Sequence, residues 1–128
     1  MKGRSSLIVI PVVLLLGIAG CKTSPTETPA RATLDGARAA YDAGDYGRTI
    51  ALLSRAPDLD RADVDTQVAA HKLLAFSYCV TNRITQCRNE FSKILDLNPR
   101  FDLSPAEKGH PIWGPAFEAA RRKHTSSS

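Results

Sequence analysis

Between Val68 and Pro99 the chain reads VAAHKLLAFSYCVTNRITQCRNEFSKILDLNP, two apolar runs on either side of Thr81-Asn82-Arg83. The second run, Ile84 to Leu97, places Ile84, Cys87, Phe91, Ile94 and Leu95 on one face at helical spacing, and Pro99 stops it. The first run reaches to about Val80 and carries Val68, Leu74, Phe76 and Tyr78, with Asp65 or Thr66 as its expected N-cap. Upstream, Leu34–Ala43 is rich in alanine and ends at Gly44, a helix stop. Tyr46–Arg55 carries Tyr46, Ile50 and Leu53 at i, i+4 and i+7, and a loop beginning at Pro57 separates it from the next run. No stretch alternates with period two for long enough to argue for a sheet. An all-α domain is expected over 34–123, with 124–128 a disordered tail. At 128 residues the chain is too short for a second ordinary domain.

The same stretch resembles the tetratricopeptide repeat, a helical hairpin of about 34 residues. With Pro99 in the consensus proline slot a repeat begins at Val68, and Leu74, Ala75, Tyr78, Cys87, Phe91 and Ile94 fill its packing positions. An earlier repeat beginning at Ala30 has Gly44-Asp45-Tyr46 at its turn and Ala37, Ile50, Leu53 and Ala56 in packing slots. The two starts are 38 residues apart, and the loop after Pro57 absorbs the excess over the consensus. Two degenerate hairpins plus a C-terminal capping helix are therefore expected, and a generic antiparallel four-helix bundle is the alternative. In the capping region His110-Pro-Ile-Trp-Gly-Pro-Ala-Phe117 supplies apolar anchors, with Trp113 as a plug against the second hairpin.

The N-terminus carries an address. Basic Lys2 and Arg4 precede an uncharged apolar run from Leu7 to Ala19, 13 residues against the roughly 20 needed to span a bilayer. Ile18-Ala19-Gly20-Cys21 resembles the bacterial lipobox, which implies a signal peptide over 1–20, cleavage before Cys21 and lipidation of that cysteine. More than one acyl chain gives a stable anchor. Lys22 stands where an aspartate would retain the protein at the inner membrane, so the resemblance implies the periplasmic face of the outer membrane. Residues 21–33, rich in Thr and Pro, read as the lipidated cysteine and a flexible tether, about 40 Å long when extended.

Cys79 and Cys87 lie across a turn in a chain bound for an oxidising compartment, so a structural disulfide is expected. Seven residues separate them, unlike a redox Cys-x-x-Cys. Once Lys2 and Arg4 are removed, 15 basic residues face 13 acidic ones, which excludes an electrostatic case for nucleic acid. No nucleophile stands beside a base, His71 reads as a core or surface histidine, His110 precedes a proline in the wrapping loop, Glu107 and Lys108 have no evident partner, and no phosphate loop or metal-ligand spacing occurs. No enzyme activity, metal or cofactor is expected.

A helical-repeat module of this kind binds polypeptides through the first helix of each hairpin. That nominates Arg38 and Tyr41 in the first and Lys72 and Phe76 in the second, an aromatic flanked by cations that suits an acidic peptide. Taken whole, the lipobox, short tether, paired hairpins and HPIWGPAFEAAR ending resemble small lipoproteins of type VI secretion systems, the TssQ type. The resemblance implies an outer-membrane accessory that binds envelope proteins of the secretion machine. A pilotin that assists secretin assembly is the alternative, and an envelope enzyme acting on peptidoglycan a more distant one.

Overall fold

The structure, a computed structural model, describes Gly3 and residues 28–128. The signal segment, Cys21 and the first part of the tether lie outside the described residues. Of those described, 74% are helical and none lies in a strand, so the fold is all-α. The helices are α1 (Pro29–Asp42), α2 (Tyr46–Ser54), α3 (Val64–Val80), α4 (Ile84–Leu97), α5 (Pro105–Lys108) and α6 (Trp113–Ser126), with a 3-10 turn at Leu59–Arg61.

Local chemistry sets each boundary. The Thr28 hydroxyl accepts from the Arg31 N–H at 3.3 Å and Pro29 occupies the first helical turn, so α1 starts five residues before the expected Leu34. Residues 29–33 are thus helix rather than tether, because Thr-Pro is a start signal as well as a mark of loop composition. The cap of α3 is Asp63, not Asp65 or Thr66. One Asp63 carboxylate oxygen accepts from the Thr66 N–H at 2.9 Å and the other from its hydroxyl at 3.1 Å. Asp45 caps α2 through the Arg48 N–H at 3.0 Å. At the other end of the chain, α6 continues to Ser126 where a disordered tail was expected. There the hydroxyls of Thr125 and Ser126 donate to carbonyls three residues back.

Helices α1 and α2 form one antiparallel pair and α3 and α4 a second, and α3 touches both helices of the first pair. The two turns are copies of one another 38 residues apart. Gly44 has φ +76° and Asn82 φ +63°, the left-handed conformation that glycine adopts freely and asparagine tolerates. Around them, Gly44 N–H donates to Tyr41 and Asp45 N–H to Ala40, just as Asn82 donates to Cys79 and Arg83 to Tyr78. Buried positions follow the same offset: Ala37 and Ala75, Thr49 and Cys87, and Leu53 and Phe91. The expected disulfide is present, Cys79–Cys87, with Cα atoms 5.2 Å apart across the second turn.

The core has two lobes. Ala30, Leu34, Ala37, Leu53, Leu59, Ala70 and Leu74 fill the first pair and its seam with α3. The second is aromatic, with Phe91 edge-on to Phe76, Phe117 edge-on to Phe91, and Phe101 edge-on to Phe117. Helix α6 lies along α4 in the same sense, since Phe117 meets Phe91 and His124 meets Asp96 one turn or more further along. The connection 98–104, a turn closed by the Phe101 N–H donating to the Asn98 carbonyl and then a stretch without regular structure, leads the chain into α5 and α6.

Candidate functional site

Helix α3 presents two opposite flanks, and both are candidates. On the first, Asp65, Val68, Ala69, Lys72 and Leu73 face α1 and the segment after α4. Two adjoining hollows of about 340 and 380 Å³ share Arg38, Asp65 and Ala69 and form a shallow groove. Of the four residues nominated for it, Arg38 lines both hollows and is exposed. Tyr41 is half-buried, edge-on to Tyr46 at 5.3 Å. Burial, and after it the nearby Tyr46, Asp42 and Glu107, push its hydroxyl pKa up. Lys72 reaches the groove but pairs with Glu107 at 2.7 Å.

Phe76 departs from expectation. It is 6% exposed and belongs to the core, because the tail folds back over it. The Trp113 indole stacks on Phe76 with centroids 4.1 Å apart, and the His110 ring stacks on the far side of Trp113 at 3.3 Å. The indole N–H donates to the Glu107 carbonyl at 2.9 Å, and His110 Nδ1 accepts the Ile112 and Trp113 N–H groups at the start of α6. Trp113 is therefore the plug that its position suggested. Helix α5, which the sequence reading missed, holds this arrangement. Ser104 and Glu107 form a reciprocal capping box, a Ser-x-x-Glu signal legible in the sequence. A side chain at Gly114 would strike the Lys108 carbonyl, so α5 and α6 meet only because residue 114 has none.

The electrostatics of the groove also differ from expectation. Arg31 bonds Asp63 at 3.4 Å, Arg38 bonds Asp35 at 3.3 Å, and Lys72 is held by Glu107. The two nominated cations, Arg38 and Lys72, thus each face a carboxylate of this chain, through exposed or half-exposed pairs that an acidic partner would have to displace.

On the opposite flank, His71 faces α4 and is not alone. Its Nδ1 lies 2.6 Å from Glu90 Oε2, and Lys93 Nζ donates to Glu90 Oε1 at 2.9 Å. Burial works to raise the Glu90 pKa, but the bonds from His71 and Lys93 outweigh it, and the carboxyl is held below its ordinary value. An ionised carboxylate can only accept, so His71 Nδ1 donates. This network lines a cleft of about 470 Å³ whose apolar lining includes Leu53, Leu59 and Leu74. The signal that could have found it is Glu90 itself. It lies three residues after Cys87 and four before Ile94, an acid inside an apolar stripe that demands partners.

Among the described residues no group of three or more His, Cys, Asp or Glu side chains could hold a metal ion, and no helix is long and apolar enough to cross a membrane. No family model, curated protein or solved structure matches the chain.

Proposed function

We propose that the chain is a membrane-anchored scaffold of two tetratricopeptide-like repeats that binds a protein partner in the cell envelope, without enzymatic activity. The observation that carries the repeat reading is the duplicated turn. Left-handed Gly44 and Asn82, with matching hydrogen bonds, stand 38 residues apart, an offset the buried positions on either side share. A generic four-helix bundle can share a left-handed turn, since helical hairpins use few loop conformations, so it is the common 38-residue register of turns and packing positions that supports the repeat reading. Array ends are normally capped, and the aromatic tail over Phe76 serves that purpose here. The partner face is the α1/α3 groove around Arg38, Asp65 and Ala69, since the tail already covers the part at Phe76.

In this reading Cys21 is lipidated and anchors the scaffold to the outer membrane facing the periplasm, which the lipobox-like Ile18–Cys21 supports, and the resemblance to type VI secretion lipoproteins supports that machine as the one it assists. Replacing residue 38 with a photo-crosslinking amino acid in the native host, with exposed Arg88 on α4 as the control position, tests the groove. A discrete protein adduct from position 38 and not 88 is the expected result. Type VI components in that adduct support the full reading, a secretin makes the protein a pilotin, and no adduct from position 38 removes the groove. Cys21→Ser should release the protein from the outer-membrane fraction, and retention there would remove the anchor.

A further inference from the structure

Helices α1 to α4 and α6 run up and down side by side, so the folded body has two ends. At the first end Arg31 near the start of α1 pairs with Asp63, the cap of α3, at 3.4 Å. His124 late in α6 meets Asp96 late in α4 there at 3.5 Å. Helix α2 also finishes at this end, and the 3-10 turn that follows it packs on α3. The turns at Gly44 and Asn82 form the second end. They are joined there by the start of α6, whose Trp113 stacks on Phe76 late in α3. The 17 residues of α3 put the two ends about 25 Å apart.

The start of α1 decides which end the chain enters. Its first residue is Pro29 and its cap Thr28, five residues ahead of the start that the sequence predicts. Seven residue steps therefore lie between Cys21 and the cap. At no more than about 3.6 Å per step they reach roughly 25 Å in any conformation. That reach equals the length of the body. With a lipid on Cys21, the second end could meet the bilayer while the first points outward only if all seven steps were fully extended. Every shorter conformation draws the first end in.

We infer that the protein stands on a phospholipid surface by its first end, with both left-handed turns directed away from the lipid. The inference rests on the lipidated Cys21 of the proposed function and adds the face that meets the headgroups. That face carries Val64, 46% exposed, and exposed charges of both signs: Arg55, Arg61 and Arg100 against Asp58, Asp60 and Asp96. Arg122 and Lys123 at the end of α6 add a small excess of cations. So mixed a face does not orient itself by charge, and the short tether sets the direction. The groove and the cleft lie on the flanks of α3 rather than at either end, so both open sideways. A partner meets them within about 50 Å of the bilayer, the tether and the body added end to end.

The test uses the processed protein, isotope-labelled and purified from its native host, in nanodiscs of zwitterionic phosphatidylcholine doped with a gadolinium-chelating lipid. Relaxation of the backbone amides reads their distance from the headgroups. Amides within 59–66 and 96–101 should relax about tenfold faster than those within 43–47 and 81–84, because relaxation by a plane of spins falls with the fourth power of distance across a body of ~25 Å. The gradient should persist at about 1 M salt, where the Debye length is ~3 Å. Inserting about twenty Gly/Ser residues after Glu27 lengthens the leash without touching the folded body and should flatten the gradient. A bound, lipidated chain with no gradient, or with the turns nearest the lipid, overturns the inference and leaves the anchor standing. A gradient lost in salt, or unchanged by the insertion, overturns the tether as its cause. A chain that mass spectrometry shows to carry no lipid removes the anchor and the orientation with it.

Discussion

Replacing the two left-handed turn residues tests the duplicated hairpin directly. Gly44 sits at φ +76°, and a Cβ built there has no atom within 4 Å, so Gly44→Ala adds no clash and its whole cost is backbone strain. An L-residue in the left-handed region costs about 1–2 kcal/mol, less for asparagine, whose side chain can bond locally. Gly44→Ala should therefore destabilise by about 1–2 kcal/mol and Gly44→Asn by roughly half as much. Asn82 has φ +63°, so Asn82→Gly should be neutral or slightly stabilising and Asn82→Ala should cost about 1 kcal/mol. The assay is urea unfolding followed by circular dichroism, with the slope against denaturant unchanged across the set. In a domain of this size 1 kcal/mol corresponds to about 4–8 °C in Tm, well within resolution. Gly44→Ala with no loss would mean that the first turn is not left-handed. A loss well above 3 kcal/mol, on the order of a core defect, would mean that side-chain crowding the structure does not contain is at work.

Breaking the Cys79–Cys87 bridge with a Cys79→Ala, Cys87→Ala double variant should cost about 2.5 kcal/mol in the loop-entropy view. Thiol labelling of the unreduced native protein should find neither residue, and labelling of both would remove the staple. Trp113→Ala loses the stack on Phe76 and the bond to the Glu107 carbonyl, and should cost about 3 kcal/mol in a thermal melt. Trp113→Phe should recover most of it, and an unchanged Tm in Trp113→Ala would mean the tail does not seat on α3. Glu90 has its pKa depressed in the folded state, so its contribution is present above the ordinary glutamate value of 4.5 and is lost as the pH falls through the folded value. Glu90→Gln should accordingly flatten the acid limb of a stability-against-pH curve below about 4.5, and an unaltered acid limb would mean the network does not hold its charge.

What was legible in the sequence follows the range of the interactions. Helix α4 could be bounded at Ile84 and Leu97 because its apolar stripe, the turn before it and Pro99 all act within a few residues. Gly44 announced its turn for the same reason. Composition misled at Thr28–Thr33, where a cap and Pro29 start a helix inside a segment that reads as tether. The harder failures are long-range. Phe76 has the sequence neighbours of a groove residue, and only the return of the chain from Pro99 to Trp113, 37 residues away, buries it. His71 looks solitary because Glu90 is 19 residues off, on the next helix. The cation pairs of the groove are mixed, since Arg38–Asp35 is a local spacing and Arg31–Asp63 spans two helices.

The two lobes of the core are not equally held, and this bears on where a partner can act. The second pair has a disulfide, four interlocking aromatic rings and the Trp113 plug. The first has alanines and a few leucines, and its second helix is only 9 residues long. Local opening starts where buried apolar contact is thinnest, so α1 and α2 are the part that should exchange amide hydrogen first. Both candidate surfaces straddle the seam between the weaker pair and α3, the groove from α1 and the cleft from α2. A ligand on either one binds only when that seam is closed, and so stabilises the fold by mass action. On the proposed reading, a partner seated across the seam therefore stabilises the first pair in proportion to its affinity, and α1 and α2 are where its protection against amide exchange should be read.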